Sequence, residues 1–239
     1  MPRLLLKLSG EALAAGAAAG IDPATLNRLA DEILQARKTG ARIAVVLGGG
    51  NLFRGAKLAE AGMDRVTADR MGMLATCMNG LAMRDALVRH GVPASAWSGL
   101  AVAGVLPAFD TVAVRAALER DEVAILTGGT GNPFFTTDTA ACLRALELQA
   151  DLVLKATKVD GVYSADPVTD PNAERFDELT FDEALTRRLG VMDATALCLC
   201  RDNDLPVVVF DINAPDALTR IASGDKVGTR IACTLEASR

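Results

Sequence analysis

Residues 128–141 read GGTGNPFFTTDTAA, and the segments on either side decide how they are used. Upstream, Val123, Ala124, Ile125 and Leu126 make a short apolar run with the length and flanks of a strand buried on both faces. Downstream a helical pattern begins. A buried strand that passes through glycines into a helix is half of a parallel βαβ unit. The loop itself combines bare backbone (Gly128, Gly129, Gly131), two aromatic faces (Phe134, Phe135), the hydroxyls of Thr136, Thr137 and Thr139, and one carboxylate, Asp138.

Outward from this stretch the same grammar recurs. Apolar runs at 4–8 (LLLKL), 43–47 (IAVVL), 152–154 (LVL) and 207–210 (VVVF) are each flanked by glycine, proline or polar residues. The clearest helix takes Asp22 as N-cap and Pro23 as its first residue, carries Leu26, Leu29, Ala30, Ile33 and Leu34 along one face, and stops at Gly40. The expected fold class is therefore α/β, with an open, mostly parallel central sheet sandwiched by helices, in a single domain over 1–239. Aromatics are scarce (4%) beside many alanines, leucines and valines, which suits helices packed closely on such a sheet. Residues 71–87 are apolar nearly all round, so this helix needs cover on two sides, from the core or a subunit interface, with its methionines as core filler. The alanine-rich patch 12–19 reads as a surface loop or small hairpin.

Charge and composition exclude several classes of function. A net charge of −5 with no run of lysines and arginines argues against a nucleic-acid face or a membrane-surface role. No apolar run approaches the ~20 residues of a membrane span, and the start of the chain is too short and too interrupted for a signal peptide, so a cytoplasmic protein is expected. Five cysteines without a C-x-x-C pair imply neither a disulfide framework nor a thiolate metal site, and they read as buried thiols. The single histidine, His90, precedes Gly91 at an expected helix end, which removes chemistries that need several histidines.

The chemistry gathers at the strand ends. The first run leads into Lys7, Leu8, Ser9 and Gly10, the second into Gly48, Gly49, Gly50 and Asn51, the third into 128–131, and the fourth into Lys155 through Gly161. In an open parallel sheet the ligand lies at the carboxyl ends of the strands, so four loops face one crevice. Glycines there let backbone N–H groups approach phosphate oxygens. Lys7 and Lys155 stand where a solvated surface lysine is not expected, and together with the glycine loops they point to a polyphosphate. Two look-alikes fail. Residues 50–57 have an alanine between glycine and lysine, which breaks the P-loop pattern, and Phe53 occupies the last glycine position of a dinucleotide fingerprint.

Taken together, KLSGEAL, GGGNLFRG, DRMGMLATCMNGLAMRDAL, TGNPFFTTDTAACLRALE and LKATKVDGVYSADP closely resemble the bacterial UMP kinases, the uridylate kinase family of the amino-acid kinase fold. The likeness runs from about Leu4 to Ile231. It implies a UMP-binding part over roughly 1–150 and an ATP-binding part over roughly 151–239 plus the 7–10 loop. UMP would be held by Gly49, Asp69, Thr130, Gly131, Asn132, Pro133, Phe134, Phe135, Thr136 and Thr137. In that arrangement the phenylalanines wall the uracil, Asp69 accepts from the ribose hydroxyls, and Gly49 meets the phosphate. ATP would contact Lys7, Leu8, Ser9, Gly10, Gly50, Arg54, Thr157, Lys158, Tyr163 and Asp166. Tyr163 either stacks on adenine or is a core aromatic.

An acceptor that is already an anionic phosphate needs no general base, so the implied catalysis is positioning and charge neutralisation. Lys7 and Lys155 would stabilise the transferring phosphoryl, Arg54 would be the bidentate cation between donor and acceptor phosphates, and Mg²⁺ would enter with ATP, with no protein-built metal site. Asp138 would orient the lysines or the metal's waters, unless it is only a first-turn acid answering the helix dipole. Asp193 reads as an N-cap without an assigned role. The alternatives are a kinase of the same fold acting on carbamate or a carboxylate, and a nucleotide-sensing regulator. The likeness also implies a homo-oligomer, a hexamer, with UTP as inhibitor and GTP as effector. Residues 14–20 offer no side-chain donor and 93–99 no basic residue, so GTP activation is expected to be weak.

Overall fold

The computed structural model describes residues 1–14, 19–53, 62–167, 169–170 and 172–235. Its main sheet contains β1 (Arg3–Leu8), β2 (Arg42–Leu47), β3 (Ala94–Ser98), β4 (Val123–Thr127), β5 (Leu152–Thr157), β8 (Glu178–Thr180), β9 (Val207–Asp211) and β10 (Thr229–Ala232). The spatial order is β3-β4-β2-β1-β5-β9-β10-β8. From β3 to β9 all neighbours pair in parallel, and only β10 and β8 run the other way. A separate ribbon pairs β6 (Val162–Tyr163) with β7 (Arg175–Phe176).

Helices cover both faces. On one side α1 (Pro23–Lys38), α2 (Arg65–Arg89) and α7 (Ala217–Ala222) pack on Leu4, Leu6, Leu8, Ile43, Val45, Leu154 and Phe210. On the other, α3 (Thr111–Glu119), α4 (Thr137–Glu147), α5 (Phe181–Thr186) and α6 (Ala194–Asp202) cover Leu5, Ala44, Val46, Val153 and Val209. Side chains alternate along a strand, so neighbouring strand residues feed different helical layers, which is why these strands are apolar at nearly every position between their ends. Each half of the sandwich has its own core.

Local signals set several boundaries. Asp22 caps α1 by accepting from the backbone N–H of Thr25 at 2.8 Å, and Gly40 follows the helix at φ +92°. His90 terminates α2 with Nδ1 2.8 Å from the Ala86 carbonyl oxygen. Three readings need correction. The start of the alanine-rich patch is a 3₁₀ turn, Gly10–Leu13, with Leu13 fully buried, because Ser9 caps it and the apolar side chain enters the core beneath α1; residues 15–18 lie outside the described residues. The cysteines are not all buried, since Cys233 is exposed beyond the last strand. The methionines of α2 are not all core filler: Met73 and Met83 are buried with Cys77, whereas Met71 and Met78 are 38% and 52% exposed beside Leu74 on the side of the helix that the sheet does not cover.

Candidate active site

Strand register and alternation build the centre of the site. Lys7 and Lys155 are direct partners across the parallel β1–β5 pair, one residue from the carboxyl end of β1 and two from that of β5. Both share the parity of Leu5 and Val153, so both side chains enter the layer occupied by α4. The first turn of α4 presents Asp138 to them. Lys7 Nζ lies 2.7 Å from Asp138 Oδ1 and Lys155 Nζ 2.7 Å from Oδ2, with the three side chains only 11–15% exposed. Lys155 also donates to the backbone carbonyl of Val191.

Burial by itself would raise the Asp138 carboxyl, but the charges of Lys7 and Lys155 outweigh it and hold the group below the usual carboxylate range. Burial pushes Lys155 down, and Lys7 repels it in the same direction, against the pull of Asp138. Two ammonium groups on one carboxylate leave one net positive charge at a nearly dry strand end, beside the positive end of a helix. Such a place favours an incoming anion.

The mouth of α4 is tied down from outside. The Thr136 hydroxyl accepts from the N–H groups of Asp138 (3.0 Å) and Thr139 (3.3 Å) and donates its own proton to Asp193. The Thr139 hydroxyl donates to the same carboxylate at 2.9 Å, while Asp193 caps α6 through Ala196 N–H at 3.0 Å. Asp193 is the cap expected of it, and in addition it straps the helix that carries Asp138 to α6. That strap was not legible in the sequence, because it joins residues more than fifty positions apart.

Parallel pairing places the glycine loops beside this cluster on one sheet edge. The loops after β1 and β2 touch: a Cβ on Gly10 would stand 2.5 Å from Gly50 N and 2.6 Å from Asn51 Oδ1, so only glycine fits there. The 128–135 loop follows β4. Thr130 Oγ1 donates to the Asn132 carbonyl and accepts from Asn132 N–H, both at 3.1 Å, which folds the loop on itself. Phe134 takes φ +70°, gives its N–H to Asp69 Oδ2 at 2.7 Å, and holds its ring under Arg65 with the guanidinium 5.3 Å from the ring centroid. Asp69 also receives both oxygens' contacts from Arg65 Nε at 2.9 Å. Phe134 and Phe135 are 63% and 50% exposed.

On the other flank, Thr157 Oγ1 donates to the Val159 carbonyl at 2.7 Å, Lys158 is exposed, and the Tyr163 hydroxyl donates to Asp160 at 2.6 Å. That bond, with burial second, raises the Tyr163 phenol. Tyr163 is therefore a half-exposed ribbon residue and not a core aromatic. Ser9 is half-buried and caps the 3₁₀ turn through Ala12 N–H at 3.3 Å, and Asp166 is exposed in the turn that receives Thr169 and Asp170 N–H groups on its carbonyl. Arg54 lies outside the described residues. A cavity of about 1510 Å³ near β10 is lined by Arg220, Lys226 and Arg175, whose charges are already paired with Asp225, Glu178 and Asp177, and it lacks the convergence of the strand-end crevice.

For a divalent cation, the described residues contain no group of three or more His, Cys, Asp or Glu side chains able to hold it. Asp138 is shared by the two lysines, with Lys7 at Oδ1 and Lys155 at Oδ2, so it offers no free pair of oxygens to hold a metal directly. This donor set fits Mg²⁺ held mainly by nucleotide oxygens and water, and does not fit a protein cage.

The Amino acid kinase family model matches residues 2–211. The chain is 59% identical over 229 residues to the uridylate kinase of Pseudomonas paraeruginosa, covering 96% of this chain and 94% of that protein. Among solved structures it resembles a UMP kinase from Bacillus anthracis, with TM-score 0.94 and 35% identity over 98% of both chains. A UMP kinase from Ureaplasma parvum superposes with TM-score 0.90 at 38% identity, covering 97% of this chain and 98% of that one.

Proposed function

This chain belongs to the amino acid kinase family, among its uridylate kinases, and on that premise we propose that it transfers the γ-phosphoryl group of MgATP to UMP, giving UDP and ADP. The observation that carries the reading is Asp138 clamped between Lys7 and Lys155 where the glycine loops converge. The acceptor is UMP phosphate, already a nucleophilic anion, so no side chain has to remove a proton. The chain's work is alignment and charge neutralisation.

The strand order supports a division of labour across the sheet edge. The acceptor side comprises the loops after β2 and β4. There Gly49 offers its N–H to the UMP phosphate, Asp69 accepts from the ribose, and residues 130–137 enclose the uracil. The donor side comprises the 7–10 loop, Gly50 where the loop after β2 touches it, and the chain from the end of β5 onward, where Leu8, Ser9, Gly10, Gly50, Thr157, Lys158, Tyr163 and Asp166 take ATP. These halves correspond to roughly 1–150 and 151–239 plus the 7–10 loop. Lys7 and Lys155 sit between them and exchange part of their pairing with Asp138 for the phosphoryl oxygens, while Arg54 bridges donor and acceptor phosphates. Mg²⁺ bound with ATP would supply charge neutralisation on the phosphate oxygens, and Asp138 would orient the lysines or the metal's waters.

The reading extends to a cytoplasmic homohexamer in pyrimidine nucleotide synthesis, with UTP inhibiting through the UMP pocket and GTP activating weakly. The exposed methionine face of α2 supports assembly, because a second copy would bury it. Coupled assays of ADP release with UMP, CMP, dUMP and carbamate as acceptors test the reaction, and turnover without preference for UMP overturns it. Light scattering tests assembly, with the mass of one chain as the contrary result. Initial rates at subsaturating ATP test regulation, where tenfold activation by GTP would contradict the weak response.

A further inference from the structure

The inner face of α2 carries polar groups whose purpose the reaction chemistry does not explain. Thr76 is 4% exposed and Asn79 fully buried, one turn apart on that face. The Thr76 hydroxyl gives its proton to the Met73 carbonyl at 2.6 Å, which leaves its lone pairs for the N–H of Gly128 at 2.7 Å. Asn79 Nδ2 donates to the Gly48 carbonyl and to Asn51 Oδ1, both at 2.7 Å. Asn51, 4% exposed, answers with Nδ2 to Asn79 Oδ1 at 3.1 Å and to the Gly20 carbonyl at 2.8 Å. The two carboxamides thus form a reciprocal pair. Their orientation is determined by their surroundings, because the carbonyls of Gly48 and Gly20 can only accept. All four amide protons are satisfied inside the protein.

We propose that Thr76 and Asn79 are positioning residues that hold the 48–51 and 128–135 loops in register on one rigid helix. The proposal rests on the UMP kinase reading. In that reading the first loop takes the acceptor's phosphate and the second its nucleoside, so a single ligand must span both loops and their separation sets how well it fits. Thr76 and Asn79 are separated by a rise of about 4.5 Å along the helix, a spacing that thermal motion barely changes. Other contacts of α2 agree with this role. A Cβ on Gly49 would stand 2.7 Å from the Gly72 carbonyl oxygen, so the first loop lies against the helix backbone, and Asp69 grips Phe134 at the far end of the second. Asn79 holds a loop that also touches the ATP side, because Gly10 lies against Gly50 and Asn51, whereas the Thr76 hydroxyl reaches the 128–135 loop, so Thr76 is the member of the pair that separates the two substrates.

Thr76→Val keeps the shape but leaves the Gly128 N–H without an acceptor, whereas Thr76→Ser retains the hydroxyl. Steady-state kinetics are measured well below the melting temperature of each protein, with each substrate varied in turn. Thr76→Val should raise KM for UMP roughly tenfold, as expected for an orphaned buried donor, with KM for ATP unchanged and Thr76→Ser close to wild type. Equal rises for both substrates, an unchanged KM for UMP, or a serine variant as impaired as valine would overturn the proposal. Amide hydrogen exchange on the wild-type protein decides the matter even if the valine variant does not fold. The Gly128 N–H should be protected as strongly as the core of α2, and exchange at the rate of a free loop amide would refute it. A wild-type protein that leaves UMP unphosphorylated would overturn the functional reading alone, because the exchange result bears on the loops without any substrate.

Discussion

Replacing Lys7 with methionine tests the charge cluster at its centre. The side chain is 11% exposed, and methionine fills nearly the same path along β1, so the sandwich loses little packing. Asp138 keeps Lys155 at 2.7 Å, so no buried carboxylate is left without a partner. What changes is charge: two ammonium groups against one carboxylate become one against one, and the net positive charge of the pocket disappears. An ammonium about 4 Å from a unit of developing charge is worth about 4 kcal/mol at an effective dielectric constant near 20. Removing one preorganised donor from a transition state costs about 2.7–4 kcal/mol in measured cases, or roughly 10²–10³ in rate. Lys7→Met should therefore lower kcat by roughly 10²–10³ in a coupled assay at saturating ATP and UMP, with KM for UMP nearly unchanged. A kcat within about threefold of wild type would refute the reasoning, because Lys7 would then be a structural partner of Asp138 and nothing more.

Asp138→Asn leaves Lys7 and Lys155 facing each other without a counter-charge and should cost about 3–5 kcal/mol of stability at neutral pH. The folded-state pKa of Asp138 is depressed, so its contribution is complete above the ordinary carboxylate range and is lost as pH falls through the folded value. The gap between wild type and variant in urea unfolding should narrow below about pH 4, and a gap that stays constant on acidification would count against the pairing. Asp69→Asn should act mainly on KM for UMP, and a defect confined to ATP would mean that donor and acceptor sides are reversed. Gly80→Ala would ordinarily strengthen a helix by about 1 kcal/mol. Here the new Cβ would stand 2.2 Å from Thr127 Cγ2, so thermal melting should instead reveal a loss of about 1–3 kcal/mol.

The runs at 4–8, 43–47, 123–126, 152–154 and 207–210 were legible as strands because a strand covered on both faces is apolar at nearly every position, a pattern that needs no partner to be recognised. β3 was not. Its sequence, ASAWS, sits at the sheet edge, partly exposed, where small and polar residues suffice. The pieces β6, β7, β8 and β10 are two to four residues long, too short for any periodicity to register. Lys7 and Lys155 stood out as charges at the ends of apolar runs, and Asp138 as the lone acid in a hydroxyl-rich loop. That the three meet required the register of β1 on β5 and the shared parity that turns both lysines toward α4.

By itself the sequence therefore determined the class of fold, the strand ends that carry chemistry and the residue types gathered there, since these depend on hydrophobic period and local turn chemistry. Tertiary structure alone decided the rest. It alone revealed the Asp193 strap on Thr136 and Thr139, the grip of Asp69 on Phe134, and the Asn51–Asn79 pair beneath the glycine loop. It alone turned the apolar Met71, Leu74 and Met78 face of α2 outward. The physical reason is the same in each case. A hydrogen bond between residues 28 to 65 positions apart leaves no periodic trace in either segment, and a helix that is apolar all round does not say which of its sides the sheet will cover.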